Sequence, residues 1–230
     1  VARLSEGGTA EAFTAALACD PVSAFGGIVA CAQEVDLAAA EEMAKIFLEV
    51  IVAPSFTEEA KARLMRKRNL RLMVRRHDFD ATARIRSVQH GVLVQDADER
   101  AEEARSVCTE RAPSPEEAQA IELAWKVCKH VKSNAIVFAN AEQVVGIGAG
   151  QMSRLDAAEL AIKRCHLDLQ GTVVGSDAFF PFRDGLDVCA KAGAKAVVQP
   201  GGSIRDDEVI AAANEHGMAM VLTGTRHFRH

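Results

Sequence analysis

The segment Gly175-Ser-Asp-Ala-Phe-Phe-Pro-Phe-Arg-Asp-Gly185 decides the fold class of this chain. A β-branched run precedes it at 172–174 and an apolar run with helical spacing follows at 186–192, which predicts a strand, a loop and a helix. Pro181 fixes one backbone dihedral and removes a donor, so the loop is stiff. Open α/β sheets bind ligands at the carboxyl ends of their strands, so this loop is a candidate ligand site. An ordinary strand-to-helix connection explains the same letters when the loop is taken alone.

Helical and β-branched runs alternate in both directions from this loop, and the alternation predicts an α/β protein. Helices are predicted at 9–18, 37–47, 57–67, 116–130, 156–164, 186–192 and 206–216. Strands are predicted at 28–31, 50–53, 70–74, 92–94, 135–139, 143–147, 172–174, 196–199 and 218–222.

Helix-start signals and charge divide the chain into two units. Ser114, Pro115 and Glu117 form a helix start with a capping box, and Thr57 is a weaker N-cap. Residues 75–87 and 95–112 are charge-rich and carry no predicted element. We therefore predict a first unit at 1–112 and a second at 113–230.

Composition excludes several function classes. The net charge of −5 argues against a surface that coats nucleic acid. No apolar run reaches the ~18 residues of a membrane span, and no signal-peptide pattern opens the chain. The six cysteines are dispersed and never spaced as Cys-x-x-Cys, which indicates reduced thiols in a cytoplasmic protein and no zinc site.

Two glycine-rich loops lead into predicted helices. Gly146-Ile-Gly-Ala-Gly-Gln-Met-Ser-Arg154 offers backbone N–H groups and Arg154 to an anion, but its spacing is not that of a dinucleotide fingerprint. Pro200-Gly-Gly-Ser-Ile-Arg-Asp-Asp-Glu208 places Ser203 as an N-cap, and its paired glycines suggest close contact with a ligand. Asn134 is either a helix C-cap or an amide that orients a substrate.

Six blocks of this sequence occur in the same order, with similar spacing, in one known family. They are Asp20-Pro-Val-Ser-Ala-Phe-Gly-Gly27, Lys132-Ser-Asn134, Gly146 to Arg154, Ser176 to Asp184, Pro200 to Glu208, and Arg226-His-Phe-Arg-His230. The chain resembles the transformylase region of the bifunctional AICAR transformylase/IMP cyclohydrolase family. The resemblance runs from about residue 9 to the last residue and is weakest between 75 and 112.

The resemblance implies formyl transfer from 10-formyltetrahydrofolate to the 5-amino group of AICAR, which gives FAICAR in de novo purine biosynthesis. It also implies a fold of two tandem cytidine-deaminase-like α/β units, each a three-layer α/β/α arrangement without zinc. The expected partners are AICAR and the folate co-substrate, with an active site at a homodimer interface.

The resemblance assigns ligand contacts to particular positions. Those expected to contact AICAR are Gly26, Glu49, Asn134, Arg154, Phe179, Arg226 and His230. Those expected to line the folate site are Leu155, Asp184, Ser203 and Ile204. Asn134 would orient the reacting carboxamide end, and Arg154 with Arg226 would bind the anionic nucleotide.

One departure from the family pattern affects catalysis. The family's Lys-His pair, whose His is taken as the general base, belongs upstream of Asp20 and has no match here. Lys129-His130 lies in a predicted helix, so the role is not transferred to it. We therefore expect a truncated domain that binds ligands and turns over little alone. The alternatives are a non-catalytic nucleotide- or folate-binding module and, more distantly, a dinucleotide-dependent oxidoreductase.

Overall fold

The computed structural model of the chain describes residues 1–3, 8–75, 83–98 and 105–229. In order, the elements of the first part are α1 (Gly8–Cys19), β1 (Gly27–Ala30), α2 (Leu37–Met43), β2 (Leu48–Ala53), α3 (Glu58–Leu64) and β3 (Arg71–Val74). The three strands form a parallel sheet in the order β1-β2-β3. Helical side chains pack on one face of it, around buried Phe13, Met43, Ile51 and Leu64.

A two-stranded antiparallel ribbon follows the first sheet. It consists of β4 (Ala83–Val88) and β5 (Gly91–Asp96), joined by a turn in which His90 has a φ of 68°. Ile85 and Val94 face each other in the register, and their side chains are 69% and 64% exposed. The ribbon therefore has apolar surface that no described part of the chain covers.

The second part carries a six-stranded mixed sheet. Its elements are β6 (Ser106–Val107), α4 (Pro115–Cys128), β7 (Ile136–Ala139), β8 (Val144–Gly148), α5 (Arg154–Arg164), β9 (Val173–Ser176), α6 (Arg183–Lys191), β10 (Ala196–Gln199), α7 (Asp206–Glu215) and β11 (Ala219–Leu222). The strand order is β6-β11-β10-β9-β7-β8. Strands β9, β10 and β11 are parallel, whereas β7 runs antiparallel to β9 and β8, and β6 runs antiparallel to β11.

This second sheet is the middle of three layers. Alternate side chains of β7 face opposite ways: Val137 joins the core under α4, and Ile136 and Phe138 join the core under α5, α6 and α7. Cys19 of α1 belongs to the α4 core, so the first part also packs on this face. Apolar side chains thus fill both faces, as expected for a sheet that is covered by helices on both sides.

Chain direction brings distant segments to one edge of this sheet. The segments after β9, β10 and β11 leave from the same edge because these three strands are parallel. Strand β7 enters at that edge, since Ile136 pairs with Ser176, and β8 ends there, since Gly148 pairs with Ile136. Five segments far apart in sequence therefore meet, as is usual for ligand sites in α/β sheets.

The α/β class and most predicted elements are confirmed, with errors that have physical causes. The helix predicted at 37–47 ends at Met43, because Leu48 starts a strand that pairs with β1. Strands β4 and β6 were not predicted, since they lie in charge-rich stretches of the sequence and β6 has only two residues.

Two predicted capping roles are wrong. Ser203 does not cap α7, because Arg205 is the N-cap residue and its backbone N–H donates to the Ser203 hydroxyl at 3.1 Å. Asn134 is no helix C-cap, because α4 has Lys129 in that position. Within the described residues, no helix has both the length and the apolar character needed to cross a membrane.

Candidate functional site

Asp177 is the first residue after β9, and it joins three segments at the shared edge. Its Oδ1 accepts hydrogen bonds from the Ala135 N–H at 3.2 Å and from Arg154 Nη2 at 3.0 Å. Its backbone carbonyl accepts from the N–H of His227 at 3.0 Å. The residue is fully buried, so its carboxylate depends on these partners for charge and hydrogen bonding.

Arg154 is the first residue of α5, whose start is set by the hydroxyl of Ser153 accepting from the Asp156 N–H. Its Nε donates to the Ser176 hydroxyl and to the Ala178 carbonyl, both at 3.2 Å. Burial lowers the pKa of the guanidinium, and the attraction of Asp177 opposes that effect. Arginine stays protonated in proteins, so Arg154 is a fixed cation.

Arg226 and Phe179 form the solvent side of this edge. The Arg226 guanidinium lies 4.9 Å from the centre of the Phe179 ring, within the range of a cation–π contact. Arg226 is exposed, and its charge also acts to lower the pKa of Arg154. Two cations therefore lie close together, one buried in a salt bridge and one held against an aromatic ring.

Asn134 lies at the same edge of the sheet, shortly before the start of β7. Its Nδ2 donates to the carbonyls of Gln151 at 2.9 Å and Met152 at 3.2 Å, which fixes the orientation of the amide. The peptide bond between Ser133 and Asn134 is cis. We call Asn134, Arg154, Asp177, Phe179 and Arg226 the edge cluster.

The positions predicted for folate lie in the segments that follow β8, β9 and β10. Leu155 lies against the start of α6, where its nitrogen is 3.8 Å from the point a Cβ on Gly185 would occupy. Asp184 is exposed, and its Oδ1 accepts from the Gly185 N–H at 2.7 Å. Ser203 and the fully exposed Ile204 lie in the loop after β10.

Gly26 and Glu49 lie together at the amino end of the first sheet, where the Gly26 N–H donates to the Phe47 carbonyl at 2.9 Å. Glu49 is 3.8 Å from Arg71 in an exposed pair. Among the described residues, no hydrogen bond, ion pair or ring contact joins either position to the edge cluster. The predicted AICAR position His230 lies outside the described residues.

Two residues at this edge were not among the predicted site positions. Gln199 is the last residue of β10 and is fully buried. Its Oε1 accepts from the Phe180 N–H at 2.8 Å, which holds the loop between β9 and α6 in place. Asp177 lies in the 175–185 segment but was assigned no role from the sequence. The available signal was a polar residue directly after or within an apolar strand, because such a side chain must find a buried partner.

The glycines of the 146–154 loop have a packing role. A Cβ on Gly148 would lie 1.8 Å from the Ala157 carbonyl oxygen, and one on Gly146 would lie 3.1 Å from that of Ala161. Strand β8 therefore needs these glycines so that α5 can approach it. The approach of α5 accounts for both glycines, and a contact of this loop with a ligand stays a prediction.

The sequence that builds this edge can be compared with those of known proteins. Residues 3–164 match the family described as "AICARFT/IMPCHase bienzyme". The chain belongs to this family. Among curated members, it is 54% identical to the bifunctional purine biosynthesis protein PurH of Myxococcus xanthus, over 96% of this chain. It is 51% identical to PurH of Magnetococcus marinus over 98% of this chain, and 51% identical to PurH of Aquifex aeolicus over 96%. The chain spans 44–45% of the length of these relatives.

Proposed function

We propose that this chain is part of an AICAR transformylase domain, which transfers the formyl group of 10-formyltetrahydrofolate to the 5-amino group of AICAR in purine biosynthesis. The observation that supports it best is the edge cluster. Four residues predicted to contact AICAR come from four separate sequence blocks, and they converge around Asp177. The activity would be that of phosphoribosylaminoimidazolecarboxamide formyltransferase.

The chemistry of the edge cluster suits an anionic aromatic nucleotide. Arg226 offers a guanidinium that can bind phosphate in a bidentate manner, and Arg154 adds positive potential from its buried position. The Phe179 ring offers a flat apolar contact for an imidazole. The fixed amide of Asn134 suits the AICAR carboxamide, whose neighbouring amine is the nucleophile.

The proposed folate site would lie beside this cluster, lined by Leu155, Asp184, Ser203 and Ile204. Arg205, which lies 4.8 Å from the centre of the Phe182 ring, joins the loop after β10 to the loop before α6. These two loops would hold the folate co-substrate so that the formyl group on its N10 reaches the amine. Positioning two reactants in this way can supply up to about 7–11 kcal/mol of barrier reduction.

We propose that proton transfer depends on a part of the protein outside these 230 residues. The amine of AICAR must lose a proton as the C–N bond forms, and a positioned base contributes roughly 10²–10⁴-fold. The base expected from the family is a His of a Lys-His pair upstream of Asp20. The chain by itself should therefore bind ligands and show little turnover.

We further propose a cytoplasmic homodimer that completes the site. Gly26 and Glu49 lie apart from the edge cluster, so a partner chain could bring its own copies of them to it. Exposed apolar side chains near them, Phe25 and Ile28, are 74% and 73% exposed and suit a subunit contact. All six cysteines are free in the described structure, as fits a reducing compartment.

The finer fold assignment also stays a proposal. The helix layers on both faces of the second sheet support a cytidine-deaminase-like unit over 113–230, with a first unit at 1–112. Strand β6 belongs physically to the second sheet, since Val107 pairs with Val221. The segment from 105 to 112 therefore packs with the second unit.

Calorimetry with AICAR tests the proposed site. The unsubstituted chain should bind AICAR, and Arg226→Ala should weaken binding about 10-fold or more, because one charge-assisted contact is worth roughly 1.5–3 kcal/mol. Arg164→Ala, at the exposed far end of α5, is the matched control and should leave the dissociation constant unchanged. No binding by the unsubstituted chain, or equal binding by both variants, would contradict the proposal.

A non-catalytic binding module would give the same binding result. Formyl transfer by the longer natural protein separates the two functions. If that protein binds both ligands and forms no FAICAR, the chain is part of a non-catalytic binding module and the transformylase proposal is wrong.

A further inference from the structure

The segment from Thr223 to Arg229 alternates between buried and exposed residues. Thr223, Thr225 and His227 are buried, whereas Gly224, Arg226 and Phe228 are exposed. Neighbouring side chains of an extended segment point in opposite directions. The alternation therefore directs Arg226 toward Phe179 and its neighbour His227 into the protein.

His227 is anchored from three directions. Its backbone N–H donates to the Asp177 carbonyl at 3.0 Å, and its Nδ1 lies 2.7 Å from Oδ2 of Asp98. Its ring centre is 4.6 Å from that of Trp125 of α4, with the planes tilted by 51°. The His227 side chain is only 6% exposed, so these contacts leave it little freedom.

Asp98 comes from a distant part of the chain. It follows β5, so its pairing with His227 ties the end of the ribbon to the segment that carries Arg226. The Asp98 side chain is 27% exposed and Trp125 is 2% exposed. The His227 imidazole thus lies between the buried Trp125 ring and the partly exposed Asp98 carboxylate.

Arg226 benefits from such support because no described residue forms a hydrogen bond or ion pair with its side chain. It is exposed, and among the described residues its side chain contacts the Phe179 ring. A long exposed side chain loses conformational entropy when it binds a ligand, and a fixed backbone reduces that cost. Fixing the adjacent residue is therefore a direct way to prepare Arg226 for an anion.

We propose that His227, held by Asp98 and Trp125, is a positioning residue for anion binding by Arg226. This inference rests on the proposed function, in which Arg226 binds the phosphate of AICAR. His227 acts through its neighbour and does not itself contact the nucleotide. A purely structural His227 would stabilise the fold without a specific effect on the phosphate.

The test uses the full-length natural protein and equilibrium binding of two probes, AICAR and the same nucleoside without its phosphate. His227→Phe keeps a ring against Trp125 and removes the bond to Asp98. It should raise the dissociation constant for AICAR about 10-fold, and change that for the nucleoside less than about 2-fold. In steady-state assays the same variant should raise KM for AICAR and leave kcat within about 2-fold.

A double-mutant cycle shows whether His227 acts through Arg226. In an Arg226→Ala background, His227→Phe should change AICAR binding by less than about 2-fold, because the group it positions is gone. Asp98→Asn, which keeps a hydrogen-bonding group, should have a smaller effect than His227→Phe. His216→Phe is the matched control, since it removes a His–Asp pair of similar length, 2.8 Å to Asp187, between α6 and α7.

Three results would overturn the inference while the proposed function stands. They are AICAR binding unchanged by His227→Phe, an equal loss for both probes, and an equal loss with and without Arg226. Failure of the unsubstituted full-length protein to bind AICAR at all would instead contradict the proposed function. In the steady-state assays, a fall in kcat with KM unchanged is a fourth result that would overturn the positioning role.

Discussion

At the scale of single residues, the pair of Asp177 and Arg154 is the most demanding feature of the site. Their side chains are 0% and 11% exposed, so both charges are largely removed from water. Such burial is tolerated only when each charge is paired and hydrogen-bonded. Arg154 meets this condition through Ser176 and Ala178 as well as Asp177.

Removing the Asp177 carboxylate should be costly for folding. Asp177→Ala leaves Arg154 as an uncompensated buried cation, so we expect a loss of about 3–5 kcal/mol in the free energy of unfolding. Asp177→Asn keeps an oxygen for the Ala135 N–H and should lose less. Urea denaturation measures both changes.

The matched control is Glu215→Ala, which removes a pair with Arg183 in which Glu215 is 57% exposed. Exposed pairs contribute about 0–1 kcal/mol, so this change should be small. Equal losses for Asp177→Ala and Glu215→Ala would show that the buried pair is not essential for stability.

At the scale of elements, the start of α4 is fixed by capping residues that can be recognised in the sequence. Ser114 Oγ accepts from the Glu117 N–H at 3.2 Å, and the Glu117 carboxylate accepts from the Ser114 N–H at 2.8 Å. Arg111 adds two hydrogen bonds to the same carboxylate. Burial acts to raise the pKa of Glu117, but Arg111 and Ser114 outweigh it, and the pKa lies below its ordinary value of 4.5.

This pKa shift predicts the direction of a pH effect on stability. The carboxyl binds a proton less readily in the folded state, so its contribution is present above the unfolded value near 4.5 and is lost as pH falls through the lower folded value. Glu117→Gln should therefore destabilise the chain at neutral pH, and its difference from the unsubstituted chain should shrink as pH falls below 4.5. Urea titrations at several pH values measure this difference. Glu116→Gln, on the exposed neighbouring residue, should show no such trend.

The contact between β8 and α5 is the second feature at this scale. Gly148 lets the helix backbone approach the strand, because a Cβ there would meet the Ala157 carbonyl carbon at 2.6 Å and its oxygen at 1.8 Å. Helix α5 in turn presents Arg154 at its first turn. The position of this cation thus depends on the absence of one side chain in the sheet.

Gly148→Ala should displace α5 and lower the stability of the chain. Overpacking of this kind costs typically about 1–3 kcal/mol, and Arg154 should move with the helix. Thermal unfolding and AICAR binding measure the two effects. Gly91→Ala is the control, since a Cβ there would only touch Val88 at 3.9 Å, and unchanged behaviour of both variants would contradict this account.

At the scale of the whole molecule, one face of the first sheet has no helix layer in the described chain. Ile28 of β1 and Met73 of β3 are 73% and 54% exposed, whereas Ile51 of β2 is fully buried on the helix-covered side. Contiguous apolar surface of this kind indicates an interaction site. A two-fold dimer would cover the same surface on both subunits.

Sedimentation equilibrium should therefore detect self-association of the 24.6 kDa chain at micromolar concentrations. Ile28→Asp places a charge on the exposed sheet face and should shift the population toward the monomer. Met65→Asp is the control, because Met65 is equally exposed, at 73%, but follows α3 on the helix side of the sheet. A monomer at all concentrations for the unsubstituted chain would contradict the dimer.

Local signals predicted the elements better than the contacts between them. The starts of α3 and α4 are N-caps at Thr57 and Ser114, as the sequence indicated, because a cap depends on residues three positions apart. The end of α2 was predicted too late in the sequence. The residues after Met43 favour a helix locally, but Leu48 pairs with β1 as part of a strand. Asp177 and His227 showed no role in advance, because their partners lie far away in the sequence.

The sequence alone determined that this is an α/β chain of the AICARFT/IMPCHase bienzyme family, since periodicity, caps and short motifs are properties of neighbouring residues. The tertiary structure decided which of those motifs meet. Parallel strands end at one edge of their sheet, and only that shared direction brings Arg154, Phe179 and Arg226 together around a buried Asp177. Gly26 and Glu49 lie at the amino end of a different sheet, and no described hydrogen bond, ion pair or ring contact joins them to this cluster.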